Sequence, residues 1–273
     1  MILSDAVARL TKAGVADPRG DARRLFDWAY ALGQAAGPSQ DRDAPNAVTQ
    51  AAFDDAIARR ADRQPVSQIT GRRAFWRHDF DVTPDVLDPR PDTETLVEQA
   101  LAVPFDRVLD LGTGTGCIVI SLLADRITAT GMAVDASDAA LTVARGNADR
   151  IGVADRLDLR LSDWFTHVTG QFDLIVSNPP YIALEEMPGL APEVARWEPR
   201  LALTDEGDGL GAYRIIAGHV MAHLTPGGWL MVEIGPTQAA GVADLFRAAG
   251  FDTVQVHRDI DQRDRVVTGQ RPA

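Results

Sequence analysis

Lysine is almost missing from this 273-residue chain. Lys12 stands alone, arginine supplies the rest of the 27 basic side chains, and 39 acidic ones leave a net charge of −12. An acidic chain gains little from phosphate backbones, so stable nucleic-acid binding is not expected. Cysteine is as scarce: Cys117 is the single one, which excludes an internal disulfide framework and suits a reducing cytoplasm. No run approaches the roughly 18 apolar residues of a membrane span, and the amphipathic MILSDAVARLTKAG lacks a signal peptide's apolar core. The expectation is a cytoplasmic protein with no membrane partner, a monomer by default. What is present is ordinary for a globular protein: 45% hydrophobic residues, and a length that fits one large domain or a large and a small one.

Residues 1–64 read as helices. Ser4 is a candidate cap for AVARLTKAG, and Thr49 for QAAFDDAIARRAD. Between them DARRLFDWAYALG places Leu25, Trp28, Ala29 and Leu32 on one stripe. The polar stretch GQAAGPSQDRDAPNA, 33–47, reads as a loop. This helical part is the candidate substrate-docking domain. Residues 65–91, with aromatic and β-branched residues around turn signals, suggest a hairpin linker. From residue 92 to 273, strands and helices alternate: ETLVEQAL, RVLDL, CIVISLLAD, ITATGMAVD, SDAALTVARGNADRIG, RLDLRLSD, FDLIVS, DGLGAYRIIAGHVMAHL, GWLMVEIG, TQAAGVADLFRAAG, FDTVQVHRD and DRVVTG. The pattern predicts an α/β fold, a doubly wound, mostly parallel sheet covered by helices on both faces. Its ligands should bind at the C-terminal edge of the strands.

RVLDLGTGTGCIVI is a strand, a glycine turn and a helix start. Gly112, Gly114 and Gly116 let main chain approach a ligand closely at a helix N-terminus. The dinucleotide fingerprint G-x-G-x-x-G would need glycine at position 117, where Cys117 stands, and Asp110 would repel a pyrophosphate. Asp110 suits a ligand with an ammonium group instead. Asp135 ends the next strand about 20 residues on, where a carboxylate takes both ribose hydroxyls. In SDW, Asp163 can accept from an exocyclic amine and Trp164 can stack on a base. Together these residues describe an adenosine with a cationic amino-acid tail, which is S-adenosylmethionine, leaving S-adenosylhomocysteine as product.

FDLIVSNPPYI then breaks off in two prolines. They hold Asn178 and Pro179 extended, a rigid shelf of hydrogen-bond acceptors at a strand's end. The Asn178 side-chain oxygen and an adjacent carbonyl could clasp both hydrogens of one –NH₂, while Tyr181 could stack on a flat substrate group. The motif does not separate adenine, cytosine, guanine and glutamine amides, though the acidic net charge tilts toward a protein amide. An adenine methyltransferase on nucleic acid, a silent binding module and an NAD-dependent oxidoreductase are the competing readings. His219 and His223, four apart, have no third ligand motif, so no metal is expected. The acidic TDEGDG is expected to cap the helix that follows it.

PVSQITGRRAFW, PDVLDPRPDTETLVE, VLDLGTGTGCI, DWF, FDLIVSNPPYI, EPRLAL, DGLGAYRII, LTPGGWLMVEIG and the terminal RDRVVTG together resemble the release factor glutamine methyltransferases over nearly the whole length. SNPPY alone is shared with adenine methyltransferases; PRPDTE and EPRLAL are more specific. The resemblance implies a class I methyltransferase fold, Rossmann-like, with an antiparallel last strand. It further implies methylation of the glutamine in the Gly-Gly-Gln tip of class 1 peptide-chain release factors, in translation termination. By motif match, Gly112, Thr113, Gly114, Thr115, Gly116, Asp135, Trp164 and Asn178 would contact the donor. Asn178, Pro179, Pro180 and Tyr181 would hold the glutamine, with Asn178, Pro179 and Tyr181 as the catalytic set. Asp92 replaces the family's usual Glu. Arg90, between prolines, reads equally as a positioning residue or a structural ion pair.

Overall fold

The computed structural model describes residues 2–37 and 41–273; residues 38–40 of the expected 33–47 loop lie outside the described ones. Contacts divide the chain into two compact units, one running to Arg72 and rejoined by Ala191–Trp197, the other Arg73–Leu190 with Glu198–Ala273.

The first unit is built from α1 (Leu3–Lys12), α2 (Pro18–Ala36), α3 (Ala47–Ala61) and α4 (Val66–Thr70). Two expected caps move. Helix α1 already begins at Leu3, so Ser4 lies inside it, and α3 begins two residues before Thr49 because Asn46 caps it, accepting from Thr49 N at 2.9 Å. Thr49 is instead buried in the first turn. Asn46 also donates to Gly33 O at 3.1 Å, which ties α3 to α2. Asp17 caps α2 through Gly20 N at 2.9 Å, with Pro18 in its first turn, where a missing N–H costs nothing. The buried stripe of α2 runs through Ala22, Leu25, Ala29 and Gly33; Leu32, expected on it, is 42% exposed. These side chains meet Leu10, Phe53 and Ile57 in a core of their own. A later helix, Pro192–Trp197, belongs to this unit. Its Glu193 receives hydrogen bonds from Arg60 (2.9 Å) and Arg63 (2.8 and 2.7 Å), and Arg60 also pairs with buried Asp21 at 2.7 Å.

The second unit opens with a hairpin of β1 (Arg72–Phe75) and β2 (His78–Asp81). It turns at Trp76 (φ 55°), whose main-chain N–H donates to Glu94 Oε1 and whose indole donates to Asp125, both at 2.9 Å. Then follow α5 (Glu94–Leu101), β3 (Arg107–Leu111), α6 (Cys117–Asp125), β4 (Thr130–Asp135), α7 (Asp138–Ile151), β5 (Leu157–Leu161) and β6 (Phe172–Ser177). The chain visits the first unit for α8 (Pro192–Trp197). It continues with α9 (Gly211–His219), β7 (Leu224–Glu233), α10 (Ala239–Ala249), β8 (Val254–Arg258) and β9 (Asp264–Gln270). The strand expected from Ile127 begins only at Thr130, and Ile127 is 77% exposed.

The sheet order is β5-β4-β3-β6-β7-β9-β8, with β3 to β7 parallel and the last strand, β9, inserted antiparallel between β7 and β8. Period-2 alternation sends Val108, Leu174, Val176 and Met231 into the core cluster of one face and Leu109, Ile175, Leu230 and Val232 into that of the other. A doubly covered sheet explains why these strands read as continuous apolar runs. Among the described residues no helix is long and apolar enough to cross a membrane.

Candidate active site

Strands β3 and β6 lie side by side with Leu111 opposite Ser177, and the Ser177 hydroxyl donates to Leu111 O at 2.7 Å. The two loops that leave these strands, GTGTG and NPPY, therefore start from one locked point at the sheet's C-terminal edge. A cavity of about 210 Å³ opens there.

Gly112, Gly114 and Gly116 have φ of 71°, 54° and 80°, a region L side chains rarely adopt. A Cβ on Gly112 or Gly114 would meet no atom within 4 Å, so this main chain borders open space. Gly116 serves differently: its Cβ would strike Ile120 Cδ1 at 2.6 Å and Ala144 Cβ at 3.3 Å. It is glycine for packing, and it lies outside the cavity lining, unlike Gly112, Thr113, Gly114 and Thr115.

Asp135 ends β4 and lines the cavity. Its Oδ2 accepts from Gly114 N and its Oδ1 from Ser137 N, each at 2.9 Å, so one carboxylate pins the glycine loop and the start of α7. Each oxygen keeps a second lone pair. Burial raises the Asp135 pKa against these backbone bonds. Asp110 is fully buried, not in the lining; its Oδ2 accepts from Thr113 Oγ1 at 2.7 Å, and burial pushes it up to about 7. Trp164 and Asp163 line the cavity, and Ser162 Oγ, donating to Trp164 O at 2.8 Å, holds the indole's main chain at φ 46°.

On the shelf, Asn178 and Pro180 line the cavity. Asn178 Nδ2 donates to Thr93 Oγ1 at 3.3 Å; neither its Oδ1 nor the Pro179 carbonyl accepts a hydrogen bond from a described residue. Pro179 is buried behind the lining. Tyr181 also stands back: its carbonyl accepts from Gln238 Nε2 at 2.8 Å, its hydroxyl reaches Glu233 Oε1 at 3.5 Å, and its ring packs on the core. The ring is not among the groups that line the cavity. Burial pushes the Tyr181 hydroxyl well above its ordinary value.

Several lining residues escaped the sequence reading. Val86, Leu87 and Pro89 come from PDVLDPRP, and Pro199, Leu201 and Ala202 from EPRLAL. Arg90 lines the cavity and pairs with buried Glu198 at 2.5 Å, so it is both a lining group and half of an ion pair. Thr93 is the contact PRPDTE makes with the shelf. Those motifs were visible, but their meeting point was not. Asp92 pairs with Arg265 at 3.0 Å. His219 and His223 flank Phe165, with ring centroids 6.2 and 4.9 Å from it, and each Nδ1 lies near a main-chain carbonyl. In TDEGDG, Asp205 accepts from Gly207, Gly209 and Gly211 N, so the segment does cap α9.

The fold and this strand-end cavity define a methyltransferase domain of the Rossmann-like class. The methyltransferase small domain model matches residues 86–193, and the PrmC N-terminal domain model matches residues 2–71. A methyltransferase from Pyrococcus furiosus has a similar fold, with a TM-score of 0.56 at 16% identity over 73% of this chain and 92% of that one. Among curated proteins, the release factor glutamine methyltransferase of Cereibacter sphaeroides is 55% identical over 99% of this chain and 98% of its own length. That of Rhodospirillum rubrum is 44% identical over 100% of this chain and 85% of its own. The chain belongs to the release factor glutamine methyltransferase family.

Proposed function

We propose that this enzyme transfers the methyl group of S-adenosylmethionine to the side-chain amide nitrogen of the glutamine in the Gly-Gly-Gln motif of class 1 release factors, a step in translation termination. The observation that carries the reading is Asn178 on the cavity wall next to the glycine loop, its Oδ1 without a donor among the described residues; the Pro179 carbonyl, likewise without a donor, is the proposed second acceptor. Two acceptors match the two hydrogens of a primary amide; a carboxylate offers none.

The residues present fit the donor. Gly112 and Gly114 leave room at the main chain, Asp135 has lone pairs for ribose hydroxyls, and Trp164 offers a face for a base. When bound, S-adenosylmethionine supplies an electrophilic methyl group. The chain's own residues prepare the acceptor. An amide nitrogen is reluctant because its lone pair is delocalised, as the roughly 18–20 kcal/mol peptide rotation barrier indicates. Acceptors at Asn178 and Pro179 pull on its hydrogens and favour a pyramidal nitrogen. The prolines keep those oxygens fixed, so orientation is set before reaction. Val86, Leu87, Pro199 and Leu201 give the cavity an apolar wall, which favours a step that disperses charge.

The lining also favours a protein substrate over nucleic acid: Asp85, Asp135 and Asp163 stand against one cation, Arg90. The test offers labelled donor to a release factor, to the same factor with its glutamine substituted, and to duplex DNA. Label on the first alone is expected; label on DNA would overturn the reading. The helical domain at residues 1–64 is proposed to dock the release factor. Deleting it should raise KM for the intact factor more than for a short Gly-Gly-Gln peptide, and equal effects would end that idea.

A further inference from the structure

Ser162, which follows β5, is tied to both groups proposed to hold the nucleoside of the donor. Its main-chain N–H donates to Asp135 O at 2.9 Å, fastening it to the last residue of β4. Its hydroxyl donates to Trp164 O at 2.8 Å and accepts from His167 N at 3.0 Å. The residue is 3% exposed and stands at the cavity wall. A hydroxyl has one hydrogen, so this one is spent inside the turn formed by residues 162–167.

Trp164 needs that tie. Its φ of 46° lies in the left-handed region, which a bulky side chain rarely adopts and keeps only where its surroundings hold it. The bond from Ser162 is the only hydrogen bond to the Trp164 carbonyl among the described residues. Its neighbours are held by other means. Asp163 O receives both the Thr166 hydroxyl, at 2.7 Å, and the Thr166 main-chain N–H, at 3.0 Å. Phe165 stacks on His223, with ring centroids 4.9 Å apart and planes 14° from parallel.

We infer that Ser162 is a positioning residue that sets the separation of the Asp135 carboxylate and the Trp164 ring, and with it the fit of the donor's ribose and base. This inference rests on the donor reading above. A nucleoside is stiff, because one bond joins its ribose to its base. A carboxylate on the ribose hydroxyls and a ring on the base must therefore keep one spacing. Asp135 is already fixed at its side chain by Gly114 N and Ser137 N. Ser162 refers the other end to it, through its amide toward Asp135 and its hydroxyl toward Trp164. The donor's amino-acid tail takes no part in this frame.

The test is calorimetry on the full chain with two ligands that share the nucleoside, S-adenosylhomocysteine and 5′-methylthioadenosine, which lacks the amino-acid tail. Ser162→Ala should weaken both by the same factor, roughly 3- to 10-fold, the worth of one hydrogen bond. In steady-state methylation of a release factor, KM for the donor should rise alike. Turnover at saturating donor and KM for the release factor should stay within about twofold of wild type. Ser162→Cys, a weaker donor, should give a smaller loss of the same kind, and it carries the test if Ser162→Ala does not fold. Thr166→Val should leave both affinities unchanged, because its main-chain N–H still occupies Asp163 O. Wild-type affinity in both serine variants would overturn the inference. So would a loss confined to S-adenosylhomocysteine, which would place the effect at the tail. An equal loss in Thr166→Val would also overturn it, as a general loosening of the turn. A wild-type chain that binds neither ligand would instead strike the donor reading, and this inference with it.

Discussion

Strands β3 and β6 end side by side, Leu111 against Ser177, yet the loops that leave them are held by opposite means. The glycine loop is flexible chemistry made rigid from outside: residues at positive φ, pinned by the Asp135 carboxylate from β4. The proline shelf is stiff by its own covalent structure, but its one adjustable group, the Asn178 amide, depends on Thr93, 85 residues earlier. The donor half thus fixes main chain with a side chain from the next strand, and the acceptor half fixes a side chain with a side chain from a distant segment. Substitutions should separate the two: those on the shelf reach turnover, and those at the loop reach donor affinity.

The largest effect is expected for Asn178→Ala. It removes one of the two oxygens proposed to hold the substrate amide while leaving both prolines in place. Loss of such a preorganised group costs roughly 10²–10³-fold in rate. Donor affinity, measured by calorimetry, should fall far less. Near-normal turnover would break the comparison at its acceptor side.

Asp135→Ala comes next and should act the other way, weakening donor binding roughly 10- to 100-fold through lost charge-assisted hydrogen bonds. The structure adds that the same change frees Gly114 N and Ser137 N, so the loop itself should loosen. Hydrogen exchange at those two amides reads this directly. Unchanged affinity in calorimetry would mean that the glycine loop does not hold the donor through this acid.

The difference between the halves also explains what could be read in advance. The alternation of strands and helices, the glycine turn and the proline break are local patterns, and β3, α5, α6 and β6 fall where periodicity put them. Thr49 misled because a capping residue is recognised by type, and neighbours of the same type compete; Ser4 misled because α1 starts ahead of it, at an Ile2 N-cap with no side-chain bond. Asn46 won over Thr49 because it also reaches Gly33 on another helix. Thr93, Glu233 and Glu198 were illegible for a stronger reason. Nothing in a buried acid's own sequence neighbourhood says which strand end it will face.

The first unit offers a control for this contrast, since its long-range tie involves no part of the cavity. Glu193 on α8 receives Arg60 and Arg63 from a segment 130 and more residues earlier. Burial alone would raise its pKa, but the hydrogen bond from Arg63, with Arg60 adding to it, holds the carboxyl down at about 2 against an ordinary 4.5. A depressed carboxyl contributes stability that is fully present above its unfolded value and lost as pH falls from there through its folded value. Wild type should therefore lose stability between about pH 4.5 and 2, whereas Glu193→Gln should be less stable at neutral pH and lack that part of the acid dependence. The two denaturation curves should converge at the acid end. Donor affinity should stay at the wild-type value, the smallest effect of the three. Parallel curves across the whole acid range would mean that the pair adds no pH-dependent stability, and that α8 is held to these helices by packing alone.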